Sequence, residues 1–414
     1  MKRAFLISAA FFAAISCFGR VLLPEQVDSA RRAVWSEWVA SQPKILPELK
    51  PLADEVRGSW VIPDSLEPHA VMDFFYGYKG EADRYPLFIY LHGSGPRDNE
   101  WATGLMLGKT FEDAPSVYFI PRIPNEGEYY RWYQRGKQWV WDRLLRAALA
   151  SGKIDPDRIY LMGISEGGYG SQRLASFYAD YLAAAGPMAG GEPLKNAPPE
   201  NLRNIAFSLR TGADDLGFYR ERLTGYTAAA LDSLAAVNPG DYRHWIELID
   251  GRGHGIDYSP TPVWLRGFER RRSPRRLTWE DFPMHGAHRS GFGNLQVLAR
   301  QAGEDVRTLY DMGIDNDNNI NLQVQSVEYE YVERDPQWGI ELKFRKHFSP
   351  VTDGKIRIFL DETMVDFSRP VRLTVNGKER FCGMVSPTDD DLRDSCEEFG
   401  DPRRLFSASL TVIF

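Results

Sequence analysis

The chain of 414 residues is too long for one small module and fits two domains plus a processed end. Hydrophobic residues make up 43% and charged residues 26%, an ordinary globular balance that excludes wholesale disorder. With 50 Lys and Arg against 57 Asp and Glu, the net charge of -7 argues against a nucleic-acid binder, whose affinity rests on neutralising phosphates.

Residues 1–19 read as a secretory signal. Met1-Lys2-Arg3 is a basic start, and the apolar or small run from Ala4 to Ser16 is too short to cross a bilayer. Ala14-Ile15-Ser16-Cys17 allows two readings: ordinary cleavage nearby, or a loose lipoprotein box with a lipid on Cys17. The protein is therefore expected to be exported, whether periplasmic, extracellular or tethered to an outer membrane. A membrane contact is expected only through an anchor at Cys17.

Residues 20–60 carry helical spacing at Val34 and Trp38, then prolines at 43, 47 and 51, and read as an N-terminal arm packed on the main domain. Over residues 61–270 the buried strands Leu87–Leu91, Val117–Ile120, Ile159–Met162, Ile205–Leu209 and Trp245–Ile249 alternate with helical stretches near 138–150, 167–178 and 218–236. That alternation predicts an α/β domain, a mostly parallel sheet with flanking helices. The basic, proline-broken run Arg270–Arg276 reads as a solvated linker.

Over residues 271–414 the period becomes two, as in Ile356, Ile358, Leu360 and in Val371, Leu373, Val375. Asn376-Gly377 supplies a tight hairpin turn, and the region reads as a C-terminal antiparallel β-sandwich-like domain. Beyond Cys17 only Cys382 and Cys396 remain, and an exported compartment permits a disulfide between them. Two cysteines without clustered histidines do not make a zinc site. The tract Asp315–Asn319 reads as a polar turn rather than a calcium loop, because Ile320 stands where the loop needs glycine and Ser326 where it needs glutamate.

The chemistry is expected where the strands of the α/β domain end. Gly163-Ile164-Ser165-Glu166-Gly167 follows one strand and precedes a helix, a setting that lifts a serine hydroxyl clear of the sheet. Serine needs a base, and His254, in Gly251-Arg252-Gly253-His254-Gly255 just past the last strand, is best placed among seven histidines. Thr211-Gly212-Ala213-Asp214-Asp215 offers the acid that fixes the imidazole, with Asp215 preferred to Asp214. The loop His92-Gly93-Ser94-Gly95 can present the Ser94 N–H beside that of Glu166 as an oxyanion hole, with His92 structural. Trp101, Tyr130 and Trp132 are the expected substrate-stacking side chains.

Taken with Asp155-Pro156-Asp157-Arg158-Ile159-Tyr160 and Ala183-Ala184-Ala185-Gly186-Pro187-Met188, these segments resemble the α/β-hydrolase superfamily over roughly residues 70–265. They are most similar to its secreted bacterial esterase branch, near polyhydroxybutyrate-depolymerase-like and feruloyl-esterase-like enzymes. Glu166 departs from the branch, where Met or Gln is commoner. The resemblance implies Ser165 as nucleophile, Asp215 as acid, His254 as base, and no cofactor or metal. The substrate it implies is a carboxylic ester, with acetyl or feruloyl groups on polysaccharides expected from the aromatic side chains. A prolyl-oligopeptidase-type peptidase and a non-catalytic glycan-binding protein on the same scaffold are the alternatives.

Overall fold

The computed structural model describes residues 20–336 and 339–414. The expected signal segment and Cys17 lie outside the described residues.

Helix α1 (Pro24–Ser41) opens the described chain. An eight-stranded sheet follows, built from β1 (Arg57–Val61), β2 (Val71–Lys79), β3 (Tyr85–Leu91), β4 (Ser116–Pro121), β5 (Ile154–Ile164), β6 (Ala184–Met188), β7 (Ala206–Gly212) and β8 (His244–Ile249). Their spatial order is β1-β2-β4-β3-β5-β6-β7-β8. β2 runs antiparallel to both neighbours, and every other adjacent pair is parallel. The residues of β3, Tyr-Pro-Leu-Phe-Ile-Tyr-Leu, are buried throughout. A strand apolar on both faces needs cover on both, and the connecting helices supply it. α2 (Arg97–Thr110) and α6 (Pro260–Leu265) cover the face of Phe88, Tyr90 and Tyr160. α3 (Arg135–Ala150), α4 (Glu166–Phe177) and α5 (Arg220–Val237) cover the face of Leu87, Ile89 and Leu161.

The rest of the chain forms two further sheets. One takes the order β10 (Gly291–Phe292), β11 (Leu295–Ala299), β15 (Lys355–Leu360), β18 (Ala408–Ile413). The other runs β17 (Lys378–Gly383), β16 (Val371–Val375), β13 (Asn319–Arg334), β12 (Thr308–Ile314), β9 (Arg276–Asp281), with β14 (Glu341–Pro350) paired to β13. β12 alternates buried and half-buried positions, as a strand with one covered face must. The sheets face each other through contacts such as Trp279 stacked on Phe292 at 5.5 Å, so the expected sandwich is present. Asn376 and Gly377 take φ of 48° and 75° and turn β16 into β17, as the sequence requires. Two features were not foreseen: β13 and β16 pair in parallel, and helix α7 (Asp389–Phe399) interrupts the strands.

Three expectations need correction. The arm meets the main domain only in part: Ile45, Leu46 and Leu49 pack on its core, whereas Val27, Val34 and Trp38 of α1 pack with Leu392 and Cys396 of α7, with Ala150 of α3 against the same cluster. The α7 partners lie at the far end of the chain, beyond the reach of local pattern. Cys382 and Cys396 are unpaired thiols on different elements, one exposed on β17 and the other buried beneath α1. The run Arg270–Arg276 is not a solvated linker. Arg270 is buried and its Nη1 lies 2.6 Å from Asp401, Arg271 pairs with Asp241, and Arg272 pairs with Asp157. Its acidic partners are scattered through the chain, so a local charge count could not reveal them. The tract at Asp315 is the expected polar turn, its carboxylate accepting from the N–H groups of Asp317 and Asn319.

Candidate active site

β5 ends at Ile164, and Ser165 holds φ 57° and ψ -113° before α4 begins. A residue forced into that region stores about 1–3 kcal/mol and must be held by its surroundings. The hold is steric. A Cβ on Gly163 would lie 2.2 Å from the Gly167 carbonyl oxygen, and one on Gly167 would lie 2.0 Å from that of Leu91. Only glycines let the strand, turn and helix pack this closely, and the turn raises Ser165 above the sheet.

The other two groups arrive from the ends of β7 and β8. Asp215 follows β7 and is buried, whereas Asp214 beside it is exposed. His254 follows β8, in a loop laid across the end of β7 so tightly that a Cβ on Gly212 would meet the Gly253 carbonyl oxygen at 2.1 Å. His254 Nδ1 stands 2.7 Å from Asp215 Oδ2, and its Nε2 stands 3.0 Å from Ser165 Oγ. Arg220 Nη1 donates to the second oxygen of Asp215 at 2.9 Å, so that carboxylate is fixed from both sides. The chain of contacts runs from carboxylate to imidazole to hydroxyl, with Ser165, Asp215 and His254 placed after the carboxyl ends of β5, β7 and β8 of this sheet. This is the α/β-hydrolase fold.

The loop after β3, which carries Ser94, is braced from behind. His92 is fully buried; its Nε2 accepts from the Ile123 N–H at 3.1 Å and its Nδ1 donates to Gly93 O at 2.7 Å. Burial pushes its pKa down to about 4, which keeps the ring neutral. Trp132 Nε1 donates to His92 O at 3.0 Å, and the Tyr130 hydroxyl donates to Gly93 O at 2.8 Å and Gly95 O at 3.2 Å. With its carbonyls held from that side, the loop brings Ser94 into the same pocket as Ser165 and Glu166. Glu166 is the first residue of α4, a position whose N–H has no acceptor within the helix.

The Glu166 carboxylate is the unusual element of the site. Its side chain is only 9% exposed, and Oε1 has no hydrogen-bond partner among the described residues. Oε2 lies 3.4 Å from Arg131 Nη1. Burial pushes its pKa up to about 7; Arg131 opposes that and Glu192 adds to it. The pocket beside Ser165 has a volume of about 360 Å³. Its lining combines charged side chains, among them Arg131, Glu166 and Glu192, with the apolar Phe218, Leu223 and Ile340.

No family model and no curated protein matches the chain. Among solved structures it is similar to a thermostable esterase, with 20% identity and a TM-score of 0.39 over 52% of this chain and 60% of that one. It is also similar to a ferulic acid esterase (13% identity, TM-score 0.38, 51% of this chain and 97% of the other). A third is the S-formylglutathione hydrolase of Staphylococcus aureus (12% identity, TM-score 0.37, 51% and 97%).

Ser165, Asp215, His254, Ser94 and Glu166 are thus brought together; the three expected stacking residues are not. Trp132 has no exposed surface and lies edge-on to His92. Tyr130 is buried, its hydroxyl tying down the loop that carries Ser94. Trp101 stacks on Phe75 at 4.2 Å and donates to Ile120 O, so it packs α2 onto the sheet. Each is an aromatic whose polar atom found a backbone partner, which is how aromatics sit in cores. Sequence reasoning missed Arg220, Phe218 and Ile340. Phe218 follows Asp215 in the same loop, which was a usable signal; nothing local marks Ile340.

Proposed function

We propose that this chain is a serine hydrolase that cleaves carboxylic esters through an acyl-enzyme. The observation that carries the reading is the unbroken contact from Asp215 through His254 to Ser165, the last held at φ 57° on a sharp turn between β5 and α4. His254 Nε2 takes the hydroxyl proton as Ser165 Oγ attacks the ester carbonyl. The developing oxyanion is met by the N–H groups of Ser94 and Glu166. His254 then returns the proton to the departing alcohol, and water releases the acyl group by the same steps in reverse order. Asp215 holds the imidazole with Nδ1 protonated and stabilises the cation formed in each half.

The expectation of a polysaccharide-linked acetyl or feruloyl ester rested on Trp101, Tyr130 and Trp132, which lie in the core. The pocket's own lining supports an ester whose non-reacting part has one apolar face and one hydrogen-bonding edge. An aromatic acyl group with ring hydroxyls meets that description, and an acetyl group does not use it.

A fluorophosphonate probe and a panel of aryl esters, methyl ferulate and peptide amides test the reading. Wild type should label and hydrolyse esters, and Ser165→Ala should do neither. Equal labelling of both proteins, or amide cleavage exceeding ester cleavage, rejects it.

A further inference from the structure

β13 is 16 residues long, and together with β14 it forms a hairpin whose far end reaches the α/β-hydrolase half. That end is moored to the segment that follows Asp215. Glu333 accepts from Arg222 and, at 2.7 Å, from the Tyr226 hydroxyl. The Tyr219 hydroxyl donates to Asp335, which is buried, and Lys343 lies over the Tyr226 ring at 5.4 Å. Between these anchors, Asp335 N–H donates to Ile340 O at 2.8 Å and sets Ile340 on the wall of the pocket that holds Ser165. Ile340 faces the same space as Leu223 and as Phe218, which is 65% exposed.

The moored segment is itself under constraint. Phe218 and Tyr219 both take positive φ, at 54° and 59°, and Arg220, which grips Asp215, comes next. Phe218 is an exposed phenylalanine in a strained backbone, lining the same pocket as Ser165 and Ile340, and its ring lies under the Arg220 guanidinium at 5.2 Å. An apolar group entering from solvent would give these side chains a partner.

We propose that the β13–β14 hairpin of the C-terminal sandwich is a wall of the ester site, and that Ile340 with Phe218 selects the non-reacting part of the substrate. The inference rests on the esterase reading above. It assigns residues 271–414 a part in substrate choice rather than only covering a flank of the molecule. The ligand class is an ester bearing a flat or branched apolar group about the size of a phenyl ring.

The test compares kcat/KM ratios within two ester pairs. p-Nitrophenyl hexanoate against acetate varies the acyl side, and 1-naphthyl acetate against ethyl acetate varies the alcohol side. The proteins are wild type, Ile340→Ala, Ile340→Asp and the mooring variant Glu333→Ala, each normalised to its active fraction by fluorophosphonate titration. The ratio of large to small substrate should fall about three- to tenfold in Ile340→Ala, and further in Ile340→Asp, for at least one pair. Glu333→Ala should move the same pair in the same direction. Ratios unchanged in all three variants, with wild type active, overturn this inference alone. A wild type that neither labels nor hydrolyses any of the four esters overturns the esterase reading itself.

Discussion

Glu166→Gln removes a carboxyl that is buried in the pocket next to Ser165 and whose Oε1 has no hydrogen-bond partner among the described residues. In the folded protein its pKa stands at about 7, against an ordinary 4.5. Between those values the folded state keeps a proton that the unfolded chain has released. The stability tied to that proton is therefore full below the unfolded value and is lost as pH rises through about 7. Gln keeps the volume and removes the titration. Integrating the linkage between about pH 5.5 and about pH 8.5 gives a loss of about 2 kcal/mol in wild type that the variant escapes. The Arg131 pair changes this little, because that guanidinium is half exposed. Urea unfolding of both proteins at the two pH values reads the difference directly, since groups common to both cancel. A wild-type-to-variant difference that is the same at both pH values refutes the reasoning. The backbone donor survives in the variant, so ester hydrolysis should persist, and any fall in kcat as Glu166 ionises near neutral pH should be absent from the Gln protein.

Other outcomes follow from single contacts. Asp215→Asn should lower kcat on the order of ten-thousand-fold, whereas Asp214→Asn, altering an exposed neighbour, should stay within about twofold. Tyr130→Phe removes the hydroxyl that holds Gly93 O and Gly95 O; kcat should fall about tenfold with KM little changed, and a change in KM alone would return Tyr130 to substrate binding. Arg270→Ala leaves the buried Asp401 carboxylate with Arg404 as its only cation; in the wild type Arg270 and Arg404 together offset its desolvation and hold it down at about 2. Losing one of its two cations should cost up to about 3–5 kcal/mol in urea unfolding, and an unchanged stability would show that Arg404 alone suffices.

The sequence was most legible where chemistry forces particular residues into short segments. Gly163, Ser165 and Gly167 announced the elbow because only those residue types fit it, and the order serine, acid, histidine followed from the strand ends they occupy. The central strands announced themselves because burial on both faces demands continuous apolar runs. β6, by contrast, is Ala-Ala-Gly-Pro-Met and carries little strand character; its neighbours make it a strand. The aromatic residues misled because composition cannot distinguish a ring facing solvent from one donating its N–H to a carbonyl in the core. Arg270–Arg276 misled for the same reason: whether a charge is solvated or paired depends on residues far along the chain.

The apolar interior of the α/β-hydrolase sheet continues without a break into the sandwich, from Trp60 and Leu87 through Phe177 and Phe282 to Phe406 and Phe414. Arg289 and Arg404 lock onto Asp180 across the same seam. Severing the chain near residue 270 would thus uncover greasy surface and orphan several charges at once. A heated sample should melt in one step rather than two, and a swapped-in sandwich from another protein would have to reproduce this seam before it could fold.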